Sequence, residues 1–479
     1  MGNKYLIRQC FVAFGFVFYA FCEGMIATFP SVLNPALLSS NTTDIKATPD
    51  EASWLASCNS ITGLIGYFTL SPIMQKFGRR KTHFGINITI VVGWLTILFA
   101  NSVTMLFIAR LIQGLTLGGV LINCIIASEY CDPKRRGYIV AMKKVAMSVG
   151  ILTCHTLALY WTWRQISLFA VFPPVIVMIN TWYWPESPSY LALKEKIEEC
   201  QYAFYWLHGR SSEKENELEI LIAAQAGRTL KNKRNKCSAV LKLFYVFRDK
   251  GFVKSFLLAT FLILAVDASG RVYYYTYITE ILREIVKDEA TAAYCTVVVD
   301  LSTTIAQIIS VFLIHNLKRR TVLFSTGILS TVLMLAISLT SFLKSLYHFP
   351  SYSIWIILFI VMLQSFVSYI GLIPVCYNIV GEIFPLEYKD LAPSVSGISF
   401  MTFFFITLKF TPVIIDRTGL HGMYLIYGVC LLLTIFVLYF ILPETKDRTL
   451  QDIEDDIRGI KRTALEVKPM LEDKLKPCP

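Results

Sequence analysis

Lys76-Phe77-Gly78-Arg79-Arg80-Lys81 follows the second of twelve hydrophobic blocks in this chain, and Asn316-Leu317-Lys318-Arg319-Arg320 follows the eighth. Arg319 lies 240 positions after Arg79, and two other motifs recur at offsets of 253 and 258 positions. These further motif pairs are Glu129 with Glu382, and Pro185-Glu186-Ser187-Pro188 with Pro443-Glu444-Thr445-Lys446. Such a recurrence predicts two pseudo-symmetric halves with a site between them.

The hydrophobic blocks have the length of membrane-spanning helices. The chain has 479 residues, of which 55% are hydrophobic and 16% are charged. A helix needs about 20 apolar residues to cross a bilayer, and it satisfies its own backbone hydrogen bonds there. An all-α membrane protein with twelve transmembrane helices is therefore expected. The approximate blocks are 7–30, 54–75, 84–101, 105–127, 138–161, 166–184, 254–278, 291–314, 321–343, 353–380, 392–415 and 422–442.

The polar segments divide the chain into four predicted units. Residues 1–185 form the first six-helix bundle, and residues 253–443 form the second. Residues 186–252 have helical periodicity with surface charge, which predicts a cytoplasmic loop containing short helices. Residues 444–479 form a polar tail that is expected to lie on the same side.

The net charge of +11 is explained by membrane topology rather than by a nucleic-acid partner. The basic residues cluster in alternate loops, whereas the loop at 31–53 has a single lysine, Lys46. The positive-inside rule therefore predicts that both termini are cytoplasmic, in a plasma membrane or alternatively a vesicle or organelle membrane. The sequon Asn41-Thr42-Thr43 lies in a loop assigned to the outside, so Asn41 is a candidate glycosylation site.

Motifs for other chemistry are missing from the sequence. The twelve cysteines show no disulfide or metal-binding spacing, and no phosphate-binding loop or zinc pattern occurs. No metal, cofactor or enzymatic activity is expected. The expected partners are the lipid bilayer and a small-molecule solute, and the protein is expected to be a monomer.

Six motifs at the block ends resemble those of the sugar porter family of the major facilitator superfamily (MFS). The resemblance covers nearly the whole chain, and Glu51-Ala52-Ser53-Trp54 is similar to the insect trehalose-transporter branch. It implies an MFS fold that carries a solute by alternating access. The motifs are Phe77-Gly78-Arg79-Arg80, Arg110-Leu111-Ile112-Gln113-Gly114, Glu129 with Arg136-Gly137, Pro185-Glu186-Ser187-Pro188-Ser189-Tyr190-Leu191, Gly381-Glu382-Ile383-Phe384-Pro385 and Leu442-Pro443-Glu444-Thr445-Lys446.

The resemblance implies an electrostatic latch of Arg–carboxylate pairs at the cytoplasmic helix ends, which holds one conformation and breaks in the other. An alternative is that these arginines only enforce topology and bind lipid headgroups. Some family positions differ, such as Gln75 and Lys318, so a weakened latch is expected. The candidate latch residues are Arg79, Arg80, Glu129, Arg136, Glu186, Arg319, Arg320, Glu382 and Glu444.

The family's sugar-binding amides are replaced here. The fifth-span Gln position is occupied by Lys144, the seventh-span Gln pair by Val266-Asp267, and the tenth-span Trp by Tyr377. Ionisable residues inside spans are costly and mark functional pathways. The candidate solute-binding residues are Lys144, Asp267, Arg271, Tyr274 and Tyr377.

Each of these residues also has a structural interpretation. Asp267 and Arg271 are four residues apart and can form a self-satisfied intrahelical ion pair. The tyrosines around Tyr274 are also typical of membrane-interface packing. Lys409 is either a pathway residue or a side chain that snorkels to the interface. Glu23 is a candidate proton site, one residue away from the acidic position of proton-coupled family members.

The leading functional hypothesis is a facilitator that moves a small polar organic solute, by family default a sugar, down its gradient. The first alternative is a transporter of a charged or aromatic metabolite, such as an amino-acid-like compound or a pigment precursor, with proton coupling and a vesicle membrane as variants of this hypothesis. The second is a membrane sensor that binds solute without transporting it.

Overall fold

A computed structural model describes residues 2–39, 45–119, 123, 126, 129–131, 133–234, 246–347, 353–385, 392–446, 448 and 450–458. Within these ranges the regular structure is helical, and no strand occurs. Helices match all twelve hydrophobic blocks, which confirms the predicted all-α membrane fold.

The spans are numbered here as first to twelfth. The first, seventh and tenth spans each consist of two helices, and the eleventh and twelfth are two helices that follow each other directly across a kink at Gly419. In chain order the helices are Gly2–Thr28 with Pro30–Leu38, Pro49–Phe77, Arg79–Leu98, Val103–Leu115, Pro133–Ala158, Trp163–Trp182, Lys250–Ala268 with Arg271–Val286, Glu289–Asn316, Arg319–Leu346, Ser353–Val367 with Ile373–Val380, and Ala392–Ile441.

The second and eighth spans, which are equivalent under the internal repeat, start with polar caps. Thr48 caps the second span, where its hydroxyl and the Glu51 carboxylate satisfy each other's backbone amides. Asp288 caps the eighth span and accepts a hydrogen bond from the Thr291 amide at 2.8 Å. Short polar side chains therefore fix where both helices begin.

The seventh span breaks between its two helices. Gly270 has a φ of +103°, a left-handed conformation in which a side chain would be strained. A Cβ atom at this position would also lie 2.6 Å from the Tyr274 ring. The break interrupts the span between Asp267 and Arg271. Two further spans are irregular, with a π-helical turn at Ser368–Leu372 in the tenth span and a non-helical Gly419 between the eleventh and the twelfth.

Each half has its own apolar core, and the two halves pack against each other along several spans. Buried Trp94 and Trp184 belong to the first core, and buried Leu262 and Tyr424 belong to the second. The second span packs on the eleventh, and the fifth packs on the eighth. These two contacts are related by the internal repeat, as expected for two similar halves that move against each other.

Short helices lie at the end of the molecule that carries Arg79, Arg80, Arg319 and Arg320, called the basic end below. Three of them, Pro188–Leu193, Ile197–His208 and Ser212–Arg234, connect the halves. The guanidinium of Arg8 donates to the Trp206 carbonyl (3.0 Å), which holds this connection against the first span. A helix in the tail, Leu450–Arg458, is held to the second half by an ion pair between Arg458 and Asp249 (2.9 Å).

Candidate functional site

In the first half, Arg79 and Glu129 form a bidentate ion pair at the basic end. Arg79 Nε donates to Glu129 Oε2 (2.8 Å) and Arg79 Nη2 donates to Glu129 Oε1 (2.6 Å). The Ser187 hydroxyl donates to the same carboxylate. Two parallel charge-assisted bonds fix the guanidinium in position and direction, so the start of the third span is tied to Glu129, which follows the fourth span.

Glu186 caps the third span. Its Oε1 accepts hydrogen bonds from the backbone amides of Arg79 (2.8 Å) and Arg80 (3.2 Å), at the first two residues of the helix. A carboxylate is stabilised there by unpaired amides and by the positive end of the helix dipole. The Arg80 guanidinium donates to the Trp182 carbonyl at the end of the sixth span.

The second half repeats this arrangement. Arg319 forms an ion pair with Glu382, and its Nη1 donates to Thr445 Oγ1 (3.2 Å). The Glu444 carboxylate accepts the Arg320 backbone amide (3.2 Å) at the start of the ninth span. Arg320 Nη2 donates to the Tyr439 carbonyl (2.7 Å).

The structure thus brings the predicted latch residues together as intra-half pairs. Each ion pair described above joins helix ends of one half. Arg136 lies on the fifth-span helix, but its side chain is outside the described part of the chain, as is Asn41. The latch role stays a prediction, whereas the observed contacts show how each half is held together at its basic end.

Lys144 connects the two halves within the membrane. It lies on the fifth span, and its Nζ donates to the Pro374 carbonyl (3.3 Å) and to Asn378 Oδ1 (3.2 Å) of the tenth span. The same Nζ is 5.9 Å from the centre of the Tyr377 ring. A cation at this distance from an aromatic ring is attracted to it.

Arg271 approaches the same tyrosine from the seventh span. Its Cζ is 5.6 Å from the Tyr377 ring centre and 4.7 Å from that of Phe400. Its Nη2 is 3.5 Å from Asp267 Oδ1. The pair of Asp267 and Arg271 expected from the sequence is present, but it spans the break at Gly270 rather than one continuous helix.

Lys144, Asp267, Arg271 and Tyr377 are called the central cluster below. Within the described part of the chain, the buried polar atoms without a hydrogen-bond partner include Arg271 Nε and Nη2, both Asp267 oxygens and Tyr377 Oη. Arg271 Nη2 and Asp267 Oδ1 belong to the ion pair described above. Because buried polar atoms are rarely left unpaired, Arg271 Nε, Asp267 Oδ2 and Tyr377 Oη are available to a bound solute or to water. The arrangement can bind hydroxyl groups and place a ring against aromatic side chains.

Tyr274 and Glu23 are positioned elsewhere. Tyr274 is buried inside the second half, where its hydroxyl donates to Gln364 Oε1 and is 3.4 Å from the hydroxyl of Tyr424. It therefore does not join the central cluster, contrary to the sequence expectation. Glu23 is buried on the first span, and its Oε2 is 4.0 Å from Lys143 Nζ.

At the end opposite the basic end, a salt bridge joins the halves. Lys409 Nζ of the eleventh span is 2.6 Å from Asp50 Oδ1 of the second span and 4.4 Å from the Trp54 ring centre. Ser53 Oγ donates to the Lys409 carbonyl (3.3 Å). Lys409 therefore has a cross-half partner rather than only snorkelling to the interface.

A second cross-half contact at this end was missed by the sequence reasoning. His155 of the fifth span lies between Ser31 Oγ, 2.6 Å from its Nε2, and Asp300 Oδ2, 2.5 Å from its Nδ1. His155 lies inside the block 138–161, and Asp300 lies inside the block 291–314. The rule that ionisable residues within spans are functional candidates would have identified both.

Two pseudo-symmetric six-helix halves, joined across their interface at the centre and at one end, define the class of membrane transporters that work by alternating access. The family model "Sugar (and other) transporter" matches residues 7–457, so the chain belongs to this family. Among the residues described, no group of three or more metal-ligating side chains occurs.

Similar proteins include insect transporters. The facilitated trehalose transporter Tret1 of Polypedilum vanderplanki is 27% identical over 93% of this chain and 88% of its own length. Tret1 of Apis mellifera ligustica is 26% identical with the same coverage.

Solved structures with the same fold include the proton:xylose symporter XylE bound to 6-bromo-6-deoxy-D-glucose, with a TM-score of 0.73 and 16% identity over 94% of this chain and 98% of that chain. The inward open conformation of XylE from E. coli has a TM-score of 0.74 and 15% identity over 94% and 99% of the two chains.

Proposed function

We propose that this protein is a facilitative transporter that moves a sugar or a similar small polar solute through the interface between its halves. The observation that carries the proposal is the central cluster, in which Lys144 of the first half reaches the tenth span beside Arg271 and Tyr377 of the second half. A solute that binds the unpaired polar atoms of the second half there would lie beside Lys144 of the first half. Movement of one half against the other would then expose it to alternate sides of the membrane.

The family match and the insect relatives favour a sugar over the charged-metabolite and sensor alternatives. Hydroxyl-rich solutes need donors and acceptors in a mostly apolar site, and an aromatic ring to stack on. Tyr377 supplies the ring, and its hydroxyl, with Asp267 and Arg271, supplies the polar atoms.

We also propose that the basic end faces the cytoplasm of a cell with the protein in its plasma membrane. The basic residues of the loops at that end support this orientation by the positive-inside rule. This orientation places both termini inside the cell. It places the sequon at Asn41 outside, where Asn41 is a candidate for glycosylation. Deglycosylation of the expressed protein, with Asn41→Gln as the control, tests the orientation by a shift in electrophoretic mobility.

The function is tested by uptake into proteoliposomes of the purified protein. Labelled neutral mono- and disaccharides, trehalose included, are offered beside charged and aromatic metabolites, to the wild type and to Lys144→Gln. Saturable sugar flux in the wild type is expected. Lys144→Gln is expected to alter it, because the cross-half contact to Asn378 loses its charge. If the wild type transports only charged or aromatic solutes and Lys144→Gln loses this flux, the sugar proposal is contradicted. If the protein binds a solute without any flux, the transport function itself is contradicted.

A further inference from the structure

A groove runs along the first half between its second and third spans and begins at the basic end. Its volume is about 430 Å³, and residues of the fourth span complete it. Residues four positions apart lie on one stripe of a helix, so each of the two spans lines one wall. The wall of the second span includes Thr69, Ile73 and Phe77, and the wall of the third span includes Lys81, Gly85 and Thr89.

Gly85 leaves space in the middle of the groove. A Cβ atom added at this position would meet nothing within 4 Å. On the opposite wall, Ile73 is 39% exposed and Phe77 is 50% exposed. The eight-residue step from Lys81 to Thr89 rises about 12 Å along the helix, and half of the hydrocarbon core of a bilayer measures about 15 Å. The groove is therefore apolar, open and nearly as long as one leaflet.

The mouth of the groove carries positive charge. Lys81 is exposed in the first turn of the third span, and Lys76 Nζ lies 5.3 Å from the centre of the Phe77 ring. Two carboxylates at this end are already engaged, Glu129 by an arginine side chain and Glu186 by backbone amides. Within the described ranges, no carboxylate pairs with either lysine. Both ammonium groups can therefore bind an anion from outside the chain.

We propose that this groove binds one acyl chain of a membrane phospholipid with an anionic headgroup, and that Lys81 and Lys76 hold the phosphate. Lipid hydrocarbon is as apolar as the side chains of the groove, so it fits the open space at Gly85. Each basic side chain at a membrane surface strengthens the binding of anionic lipid by about fivefold. A zwitterionic lipid has no net charge and gains less from the two lysines.

The second half does not repeat this site. At the offset of 240 positions, Lys81 corresponds to Thr321, Gly85 to Ser325, and Thr89 to Leu329. The positive charge is lost there, and two of the three positions carry a larger side chain. Because the second half forms the same fold without them, the lysine and the glycine are not required by the fold that the halves share. A bound lipid accounts for both of them in the first half.

The test is native mass spectrometry of the full-length protein, released from micelles that contain equal amounts of phosphatidylglycerol and phosphatidylcholine. The wild type is expected to retain one phosphatidylglycerol molecule in preference to phosphatidylcholine. Lys81→Gln is expected to weaken retention of phosphatidylglycerol by about fivefold and to leave that of phosphatidylcholine unchanged. Gly85→Leu is expected to weaken retention of both lipids, because its side chain fills the space for the acyl chain.

Lys318→Gln is the matched control for the loss of charge. Lys318 is an exposed lysine at the start of the ninth span, which is the equivalent end of the second half. This variant is expected to retain phosphatidylglycerol like the wild type. Melting temperatures in detergent without lipid are expected to be no lower in Lys81→Gln and Gly85→Leu than in the wild type, so that lost retention is not unfolding. If one of these two variants does not fold, the other decides the outcome.

Equal retention of phosphatidylglycerol by the wild type and both groove variants overturns the proposal, as does equal retention of the two lipids by the wild type. If glycerol phosphate competes as strongly as the whole lipid, the groove contributes nothing and the proposal is also overturned. If the wild type retains no more of either lipid than Gly85→Leu does, the chain itself fills the groove, which overturns it as well. Lipid binding is measured without solute, so a failure to transport sugar would overturn the proposed function without changing this result.

Discussion

The Glu186 carboxylate accepts the backbone amide of Arg79 at 2.8 Å, at the residue where the third span begins. Glu444 accepts the amide of Arg320 at the start of the ninth span in the other half. Both carboxylates therefore serve as helix caps, in addition to any role as partners of arginine side chains. Because each cap stays within its half, it stabilises the half as a rigid body.

Glu186→Gln and Glu444→Gln are expected to lower the thermal stability of the purified protein. Each removes a negative charge from a helix N-terminus, an interaction worth about 0.3–1 kcal/mol and up to about 2 kcal/mol when partly buried. Intrinsic-fluorescence melting measures the change. Glu217→Gln is the control, since Glu217 forms a surface pair with Lys214 within one helix and lies beyond its first turn. Equal melting temperatures in all three variants would contradict the capping role.

Arg79→Lys is expected to destabilise the protein more than Arg80→Lys. Lysine keeps the charge but cannot make the two parallel bonds that Arg79 makes to Glu129. A lost charge-assisted hydrogen bond is worth about 1.5–3 kcal/mol. Arg80 donates to a backbone carbonyl that a lysine can also reach. The melting temperatures of the two variants test this, and a larger loss in Arg80→Lys would show that the bidentate pair is not the stronger contact.

The twelve spans could be predicted from the sequence because apolar length alone decides whether a helix can cross a membrane. The interruptions within these spans could not be predicted from the sequence. The block 254–278 contains Gly270, but a glycine alone does not specify a break, and its φ of +103° is seen only in the structure. The blocks 392–415 and 422–442 correspond to two helices that meet at a kink, where Gly419 has a non-helical conformation with a φ of +70°.

Only part of the candidate site could be predicted from the sequence, because some of its contacts join residues that are far apart along the chain. Lys144 and Tyr377 were identified from aligned motif positions, and the structure brings them together. Tyr274 was assigned to the site, but its partner Gln364 holds it inside one half, a contact between residues 90 positions apart. Contacts over such separations, like that of His155 with Asp300, depend on how the helices pack, and one sequence does not encode that packing locally.

Gly270→Ala is expected to reduce both folded yield and thermal stability. Alanine at a φ of +103° is strained by about 1–2 kcal/mol, and its Cβ would lie 2.6 Å from the Tyr274 ring. Gly85→Ala is the matched control, because nothing lies within 4 Å of a Cβ atom there. Size-exclusion chromatography and melting report the difference, and similar behaviour of the two variants would mean that the break in the seventh span is not required.

Tyr377→Phe is expected to raise the KM for the transported solute while leaving stability nearly unchanged. The ring that faces Lys144 and Arg271 is kept, and the hydroxyl that is removed has no hydrogen-bond partner in the described part of the chain. Loss of one solute hydrogen bond corresponds to about a two- to tenfold rise in KM.

Tyr274→Phe is the control for Tyr377→Phe. Its hydroxyl already donates to Gln364, so the change is expected to lower the melting temperature and to leave the KM unaltered. Uptake kinetics in proteoliposomes separate the two. A raised KM in Tyr274→Phe but not in Tyr377→Phe would place the solute in the second half rather than at the central cluster.

Thr48→Ala is expected to destabilise the second span equally at about pH 5.5 and about pH 7.5. The backbone amide and the hydroxyl of Thr48 donate to Glu51, and these bonds lower the pKa of that carboxyl. A lowered pKa contributes stability that is complete above the ordinary pKa of about 4.3 and is lost only as the pH falls through the lowered value. Both measurement pH values lie above this window. A loss of stability that differs between the two pH values would show that the cap titrates between them.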